Sequence, residues 1–289
     1  MPTVGVVSLG AMGSAMAEAL GRGGARVVAT LEGRSARTVH LAARPPSVEL
    51  LSDLAAVVGE ADVVVSIVPP EQARTAAETV RRAGSEAGRT PLFVELNAIA
   101  PATALEIASK LEMVDGSISG PPPWNAGTTR VYLSGQRAAE IAELPFDGVD
   151  LIVVGEAVGA ASAVKMSTAS VYKGSTAILL QALRAAHANG VLEHVLADLG
   201  AAAPELVANV ERRLMSAASK SGRYVGEMHE IAATQSAADL TSALFEAIAE
   251  IYESVARTPA GDRSPEDIAD DESLPQILDG MRADFNRAE

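Results

Sequence analysis

The amino-acid sequence predicts an α/β fold, in which an N-terminal doubly wound sheet is followed by an all-α domain. The length of 289 residues suggests two packed units. From Thr3 to about Val154, short Val-rich runs alternate with Ala-rich amphipathic segments, which is typical of strands and helices around a parallel sheet. After Gly159 only helical spacing continues. We therefore predict a first domain over residues 1–158 and a second over residues 159–289.

Seven short segments of the first domain carry near-continuous apolar side chains, as expected for strands covered on both faces. They are Thr3–Val7, Arg26–Leu31, Asp62–Val68, Leu92–Glu95, Met113–Ile118, Arg130–Leu133 and Leu151–Val154. Helices are expected between these strands. Gly23 and Gly24 are suited to ending the first helix, and Pro101 suits the first turn of a later one.

The second domain is expected to begin with one long helix from about Ala160 to Ala188. At 1.5 Å per residue such a helix is ~40 Å long, enough to leave the first domain and form the spine of the second. The acidic segment from Gly261 to Ser273 is expected to be a surface connection, followed by a last helix ending near Arg287.

Composition excludes several classes of function. The formal charge of −14 argues against a nucleic-acid partner, because the chain would repel a phosphate backbone. The absence of cysteine excludes disulfides, thiolate metal sites and cysteine nucleophiles. Met1 leads directly into an apolar strand without a basic region, and no apolar run approaches the ~18 residues that span a bilayer. We therefore expect a soluble, cytoplasmic protein with no membrane partner.

The first predicted strand runs into a turn with the features of a dinucleotide-binding fingerprint. The residues of this turn are Ser8, Leu9, Gly10, Ala11, Met12 and Gly13. Gly10 would let the backbone approach a pyrophosphate, Gly13 would let the helix pack close to the sheet, and the helix N-terminus would face the phosphates. Ser8 replaces the first glycine of the usual pattern, which weakens the match. We predict a Rossmann-type dinucleotide-binding domain.

The end of the second strand is expected to contact the adenosine ribose, and two interpretations compete there. Glu32 would accept hydrogen bonds from a free 2′-hydroxyl and favour NAD. Arg34, Ser35 and Arg37 would instead form a charge-assisted cradle for a 2′-phosphate and favour NADP. We predict NADP rather than NAD, because the tip of the turn is Gly33 followed by Arg34. Val68, Pro69 and Asn97 complete the candidate cofactor-binding residues.

Four stretches in a fixed order resemble the β-hydroxyacid dehydrogenase superfamily, which includes phosphogluconate dehydrogenase, hydroxyisobutyrate dehydrogenase and the imine reductases. They are Ser8–Gly13, Ile67–Pro69, Val114–Gly120, and Gly159 through Lys165 to Gly174. The helical remainder, with Gly222–Met228, resembles the C-terminal domain of a poorly characterised branch related to phosphogluconate dehydrogenase. The resemblance implies hydride transfer to or from a small-molecule substrate in a cleft between two domains, usually completed by a homodimer.

The resemblance also implies roles for individual residues. Lys165 matches the catalytic lysine of the family, which acts as general acid or base at the substrate hydroxyl or carbonyl. Ser119 and Gly120 match the pair that binds a substrate carboxylate. Tyr172 occupies the position at which phosphogluconate dehydrogenase places a second acid; alternatively it is an interface aromatic with its hydroxyl in water.

This chain departs from the family pattern at two places. The asparagine expected three or four residues after Lys165 is absent, although Thr168 would present a hydroxyl on the same helix face. A Gly-rich stretch is replaced by a stiff loop of three prolines and Trp124, which would form a pocket wall or simply pack. These departures leave the substrate open.

Two charged positions of the second domain have competing interpretations. Arg223 would pair with a substrate anion or form a salt bridge on the surface of its own helix. His229 and Glu230 begin like a zinc motif, but Ala233 stands where the second histidine would be, so we predict no metal site.

The sequence thus indicates an NADP-dependent oxidoreductase acting on a small hydroxy acid or related carbonyl compound. An imine reductase, or a dinucleotide-binding protein without catalysis, is the alternative.

Overall fold

The computed structural model describes residues 1–44, 47–264 and 272–282. The chain forms two compact units, Met1–Met166 and Ser167–Glu289. This division lies inside a long helix, a few residues beyond the boundary that the sequence suggests between 158 and 159. That boundary stays a prediction.

The first unit is built on one eight-stranded sheet with the order β3-β2-β1-β4-β5-β6-β7-β8. Its strands are β1 (Thr3–Val6), β2 (Arg26–Thr30), β3 (Val48–Leu51), β4 (Val63–Ser66), β5 (Leu92–Glu95), β6 (Met113–Ser119), β7 (Thr129–Ser134) and β8 (Val149–Gly155). Neighbouring strands are parallel except for β6 and β7, which pair antiparallel. The predicted doubly wound α/β architecture is confirmed, with one antiparallel pair in a mostly parallel sheet.

Helices cover both faces of this sheet. They are α1 (Ala11–Arg22), α2 (Ala36–Ala42), α3 (Leu54–Glu60), α4 (Ala73–Ala87), α5 (Pro101–Ala108) and α6 (Ala138–Ala142). In β4, Val63 and Val65 belong to one buried cluster with α1 and α6, whereas Val64 belongs to another with α3, α4 and α5. This alternation follows from the two-residue period of a strand. Pro101 begins α5 and Gly23 follows the end of α1, as predicted.

The sequence-based strands differ from the structure in two ways. Strand β3 was not predicted, because it is a four-residue edge strand in which Glu49 and Leu50 are exposed and no residue is fully buried. The antiparallel direction of β7 was also not predicted. Residues 120–128 connect β6 to β7, and a connection this short cannot carry the crossover that parallel neighbours require.

The second unit is helical over its described residues. Helix α7 (Ala160–Ala188) has the predicted bounds and crosses into it. It is followed by α8 (Leu192–Ala202), α9 (Pro204–Val207), α10 (Val210–Ala218), α11 (Ser221–Ala237), α12 (Ala243–Ala256) and α13 (Leu274–Gly280). Leu180 and Leu183 of α7 pack in a buried core with Leu214 of α10 and Leu278 of α13. The predicted end of the last helix near Arg287 lies outside the described residues.

No helix in the described parts of the chain combines the length and the apolar character needed to cross a lipid bilayer.

Candidate functional site

The turn from β1 to α1 places two glycines in different surroundings. A Cβ atom on Gly13 would lie 1.8 Å from the carbonyl oxygen of Ser8, so the close approach of helix and turn requires glycine at this position. A Cβ atom on Gly10 would meet nothing within 4 Å. Gly13 therefore serves the packing of α1, while Gly10 leaves open space beside the helix N-terminus. The backbone N–H groups at such an end, with their dipole, suit a pyrophosphate.

Arg34 reaches back from the end of β2 to the same turn. Its Nη2 donates a 2.6 Å hydrogen bond to the carbonyl oxygen of Val7, and its Nε is buried without a hydrogen-bond partner among the described residues. Ser35 caps α2 by accepting a hydrogen bond from the Thr38 backbone N–H at 3.3 Å. Glu32 is exposed. Of the predicted ribose-contacting side chains, Arg34 is therefore the one held against the turn, with one donor atom that an anionic oxygen could satisfy.

Asn97 ties the ends of two central strands together. Its Oδ1 accepts a 2.6 Å hydrogen bond from the Val68 backbone N–H, which follows β4. Its Nδ2 donates to Ser66 Oγ at 3.1 Å, and its own backbone N–H donates to Glu95 Oε1 at 2.8 Å. The predicted cofactor residues Val68 and Asn97 thus belong to one hydrogen-bonded group at the carboxyl edge of the sheet, and Pro69 directly follows Val68. In open α/β sheets, ligands bind at this edge.

Glu95, within that group, is a buried carboxylic acid. Its Oε2 has no hydrogen-bond partner among the described residues. Burial raises the pKa of Glu95 to about 8, with a smaller contribution from the nearby Asp115 and against the opposing hydrogen bonds of the Asn97 N–H and Ser66. Glu95 is therefore mainly protonated and neutral at about pH 7.

We expect this burial to make the stability of the first unit depend on pH. The unfolded chain releases the Glu95 proton near 4.5 and the folded chain near 8, so the folded state loses stability as pH rises between these values. The loss up to about pH 7 amounts to about 3 kcal/mol. Glu95→Gln, which cannot ionise, should lack this decline in the free energy of unfolding, measured with urea at about pH 5 and about pH 7. The exposed residue Glu71, changed to Gln, is the control. An unchanged decline in Glu95→Gln would contradict the prediction.

A second buried acidic side chain, Asp115 in β6, binds the beginning of α7. Its Oδ2 accepts hydrogen bonds from the backbone N–H groups of Gly159 at 2.9 Å and Ser162 at 3.1 Å, and its Oδ1 accepts from Ser162 Oγ at 2.6 Å. Ser134 Oγ donates to Asp115 at 3.0 Å and accepts from the Ala161 N–H at 3.0 Å. Burial raises the pKa of Asp115, and these hydrogen bonds oppose that effect.

Neither Glu95 nor Asp115 was singled out from the sequence. The signal was present, because an acidic side chain within an otherwise apolar, buried strand is either hydrogen-bonded, as Asp115 is, or kept neutral, as Glu95 is. The sequence does not say which groups supply those bonds.

Lys165 lies one helical turn beyond Ser162 and is partly buried. Its Nζ donates a 2.7 Å hydrogen bond to the carbonyl oxygen of Ile118, the residue before Ser119. Ser119 ends β6, and Gly120 follows with a φ of +114°, where a Cβ atom would lie 2.3 Å from the Thr128 carbonyl oxygen. The structure therefore brings Lys165 to the strand end that carries the predicted Ser119 and Gly120 pair, and Gly120 is required there by backbone packing.

The remaining predicted site residues belong to the second unit. Thr168 and Tyr172 lie on α7, and Tyr172 is 70% exposed. Arg223 Nε lies 3.3 Å from Glu227 Oε1 on the same helix, which is the salt bridge considered from the sequence. Buried Glu227 also pairs with Lys173. Substrate contacts of Thr168, Tyr172 and Arg223 stay predictions.

His229 pairs with a carboxylate of the neighbouring helix, since its Nδ1 lies 2.9 Å from Glu246 Oε2. Across residues 1–44, 47–264 and 272–282, no three His, Asp or Glu side chains are grouped so that they could hold a metal ion.

Trp124 packs near the far end of α1. The guanidinium of Arg44 lies 5.6 Å from the centre of its ring, and Arg22 Nη2 donates to the carbonyl oxygen of Pro123 at 3.5 Å. Arg22 is the last residue of α1, about 17 Å along the helix from its start. These contacts are packing contacts of the Trp124 loop, and its role as a pocket wall stays a prediction.

Two families match this chain. Residues 3–139 match the NAD-binding domain of 6-phosphogluconate dehydrogenase. Residues 186–255 match a domain of unknown function, DUF1932. The first match covers the β1 turn, Arg34, Asn97 and Ser119, and the second lies within the helical unit.

Solved structures show the same architecture. The conserved protein MTH1747, of unknown function, is described as structurally similar to 3-hydroxyacid dehydrogenases. It is 31% identical, with 88% of this chain and 96% of that chain covered and a TM-score of 0.64. Mycobacterium tuberculosis 3-hydroxyisobutyrate dehydrogenase with L-serine is 22% identical, with 98% of this chain and 100% of that chain covered and a TM-score of 0.66. A Myxococcus stipitatus imine reductase variant with NAD+ is 19% identical, with 98% of this chain and 100% of that chain covered and a TM-score of 0.54. The last two share the fold.

Proposed function

Because this chain belongs to the β-hydroxyacid dehydrogenase superfamily, a family of NAD(P)-dependent dehydrogenases and reductases, we propose that it transfers a hydride between NADP and a small hydroxy acid or the related carbonyl compound. The observation that carries the proposal is the position of Lys165. Its amine is held 2.7 Å from the carbonyl oxygen of Ile118, directly before the Ser119 and Gly120 pair. In this proposal Lys165 of α7 supplies the acid–base group and Ser119 of β6 supplies the carboxylate anchor, and the lysine is held at the strand end that carries the serine.

The chemistry divides between cofactor and protein. NADP, when bound, supplies or accepts the hydride. In oxidation, the neutral amine of Lys165 takes the proton of the substrate hydroxyl; in reduction, the ammonium form donates a proton to the carbonyl oxygen. Ser119 Oγ donates a hydrogen bond to the substrate carboxylate and orients the reacting carbon. Tyr172 as a second acid, and Thr168 and Arg223 as substrate contacts, are part of the same proposal.

The preference for NADP rests on Arg34. Its guanidinium is already held against the turn through Val7, and its buried Nε has no hydrogen-bond partner among the described residues. A 2′-phosphate would accept hydrogen bonds from this planar group, whereas the 2′-hydroxyl of NAD would leave much of its charge uncompensated. Exposed Glu32 is the residue that would favour NAD.

Arg34→Gln tests the cofactor preference. We expect the Kd for NADPH to rise by roughly 10- to 100-fold, because a charge-assisted contact contributes about 1.5 to 3 kcal/mol, and the Kd for NADH to change little. Fluorescence titration of both reduced cofactors measures this directly. Arg44→Gln, two residues beyond the end of α2, is the matched control and should leave both Kd values unchanged. An equal loss for the two cofactors in Arg34→Gln would count against NADP specificity.

A substrate panel tests the reaction itself. Short 3-hydroxy acids, beginning with 3-hydroxyisobutyrate, are incubated with NADP+ and the appearance of NADPH absorbance is followed. Cyclic imines are incubated with NADPH in parallel. Turnover of a hydroxy acid supports the proposal, and turnover of imines alone overturns it.

One observation favours imine reduction as a second candidate. The family asparagine after Lys165 is absent and Thr168 stands one turn on, so the usual partner of the lysine at a hydroxyl or carbonyl is missing. The same absence motivates a non-catalytic dinucleotide-binding protein. Tight NADPH binding with no hydride transfer across both panels would favour that alternative.

We also propose that the enzyme works as a cytoplasmic homodimer, with a dinucleotide-binding domain over 1–158 and a helical substrate and dimerisation domain over 159–289. Support for the dimer comes from the family resemblance and from exposed apolar side chains on α7, among them Val171, Tyr172 and Ile178. Light scattering of the purified protein measures its mass in solution.

A further inference from the structure

We propose that Asp115 is a positioning residue for Lys165. This inference rests on the proposed function, in which Lys165 carries the acid–base chemistry. Asp115 contacts neither a reacting atom nor Lys165 in the hydrogen bonds described above; it acts by holding the helix that carries the lysine.

The first step of the argument is that β6 holds α7 at two points. Asp115 binds the first turn of the helix through Gly159 and Ser162. Three residues along the strand, the Ile118 carbonyl oxygen accepts the hydrogen bond from Lys165 Nζ. Asp115 and Ile118 lie about 10 Å apart along the strand, and their partners Ser162 and Lys165 lie about 4.5 Å apart along the helix axis. The two contacts therefore fix both the position of α7 along β6 and its rotation about its own axis.

The second step is that the site requires a carboxylate. The two oxygens of Asp115 receive four hydrogen bonds, from Ser134 Oγ, Ser162 Oγ and the backbone N–H groups of Gly159 and Ser162. An asparagine in this place has one acceptor oxygen, and its NH2 group would face donors. The negative charge also lies at the N-terminus of a 29-residue helix, where the helix dipole favours it.

The third step links the helix start to chemistry. A catalytic group must lie within hydrogen-bond reach of the atom whose proton it transfers, and a displacement of about 1 Å can cost 100-fold in rate. Loss of the Asp115 contacts frees the turn that immediately precedes Lys165. The amine should then leave Ile118 more often and spend less time at the substrate oxygen.

Asp115→Asn is the test variant. We expect kcat for the best hydroxy acid of the panel to fall by about tenfold or more, while the Kd for NADPH stays within about twofold, because the cofactor turn is untouched. In a Lys165→Met background, Asp115→Asn should cause no further loss. A merely structural role would instead give additive losses in the double variant, and that result would overturn the proposal.

A second measurement needs no turnover. The chain has four lysines, Lys110, Lys165, Lys173 and Lys220, whose rates of acetylation by limiting acetic anhydride are followed by mass spectrometry. Lys165 should react several-fold faster in Asp115→Asn than in the wild type, because its hydrogen bond to Ile118 opens more often. Exposed Lys110 should keep its rate and serves as internal reference.

The two measurements separate the inference from the proposed function. If the wild type turns over no hydroxy acid, the proposed function fails, and the acetylation rate of Lys165 still decides the role of Asp115. If Asp115→Asn does not fold, Ser162→Ala removes one of the side-chain donors and should raise the Lys165 rate in the same direction by a smaller factor. An unchanged Lys165 rate in the folded variant overturns the positioning role.

Discussion

Replacing Lys165 by methionine is expected to lower kcat for the hydroxy acid substrate by about 10²- to 10⁴-fold, the range that a positioned general acid or base contributes. Methionine keeps the length of the apolar stem and removes the amine. Steady-state assays that follow NADPH absorbance, with NADP+ and the best hydroxy acid of the panel, measure this loss in kcat. Lys110→Met, which removes an exposed lysine paired with Glu106, is the matched control and should retain full activity.

Cofactor affinity should survive the same change. Lys165 Nζ binds the Ile118 carbonyl oxygen on β6, whereas the candidate cofactor residues follow β1, β2, β4 and β5. The Kd for NADPH in Lys165→Met should therefore stay within about twofold of the wild type, as for an interaction that acts only in the transition state. A variant that retains wild-type kcat would refute the catalytic assignment, and one that loses NADPH binding would move Lys165 into the cofactor site.

Gly13→Ala is expected to destabilise the first unit by about 3 kcal/mol, because the added methyl group would meet the Ser8 carbonyl oxygen at 1.8 Å and neither backbone segment can move away cheaply. Urea unfolding measures the loss, and NADPH binding should fall with it because the N-terminus of α1 is displaced. Gly59→Ala, within α3, has open space around its Cβ and provides the control, for which no loss and a gain of up to about 1 kcal/mol from helix preference is expected.

Gly10→Ala distinguishes the effect of this turn on protein stability from its effect on cofactor binding. A Cβ atom there meets no protein atom within 4 Å, so the expected loss in the free energy of unfolding is about 1 kcal/mol, from the lower preference of alanine than of glycine for the N-cap of α1. If the pyrophosphate approaches this backbone, as the fingerprint predicts, the Kd for NADPH should rise by roughly tenfold or more. Unchanged affinity in Gly10→Ala would mean that the phosphates lie elsewhere.

Local patterns in the sequence were sufficient for much of the fold. The short, near-continuous apolar runs identified seven of the eight strands, and α7 begins and ends where its helical spacing does, at Ala160 and Ala188. Pro101 and Gly23 marked a helix start and a helix end correctly. These features depend on the backbone preferences and on the apolar pattern within a single segment, so the local sequence is enough to predict them.

The candidate site was predictable only in part. The turn from Ser8 to Gly13, Arg34 and Lys165 stand out by residue type and spacing. That Arg34 binds Val7, that Asn97 holds Val68, and that Lys165 reaches Ile118 depends on strands and helices far apart in the chain.

The sequence by itself determined seven of the eight strands, the glycine turn from Ser8 to Gly13 and the long helix that carries Lys165. Only the tertiary structure decided the edge strand β3, the antiparallel course of β7, and the burial of Glu95 and Asp115 with their partners. The physical reason is that pairing direction and compensation of buried charge are properties of neighbours in space. Asp115 meets Ser162 across 47 residues of chain, and no local pattern records that contact.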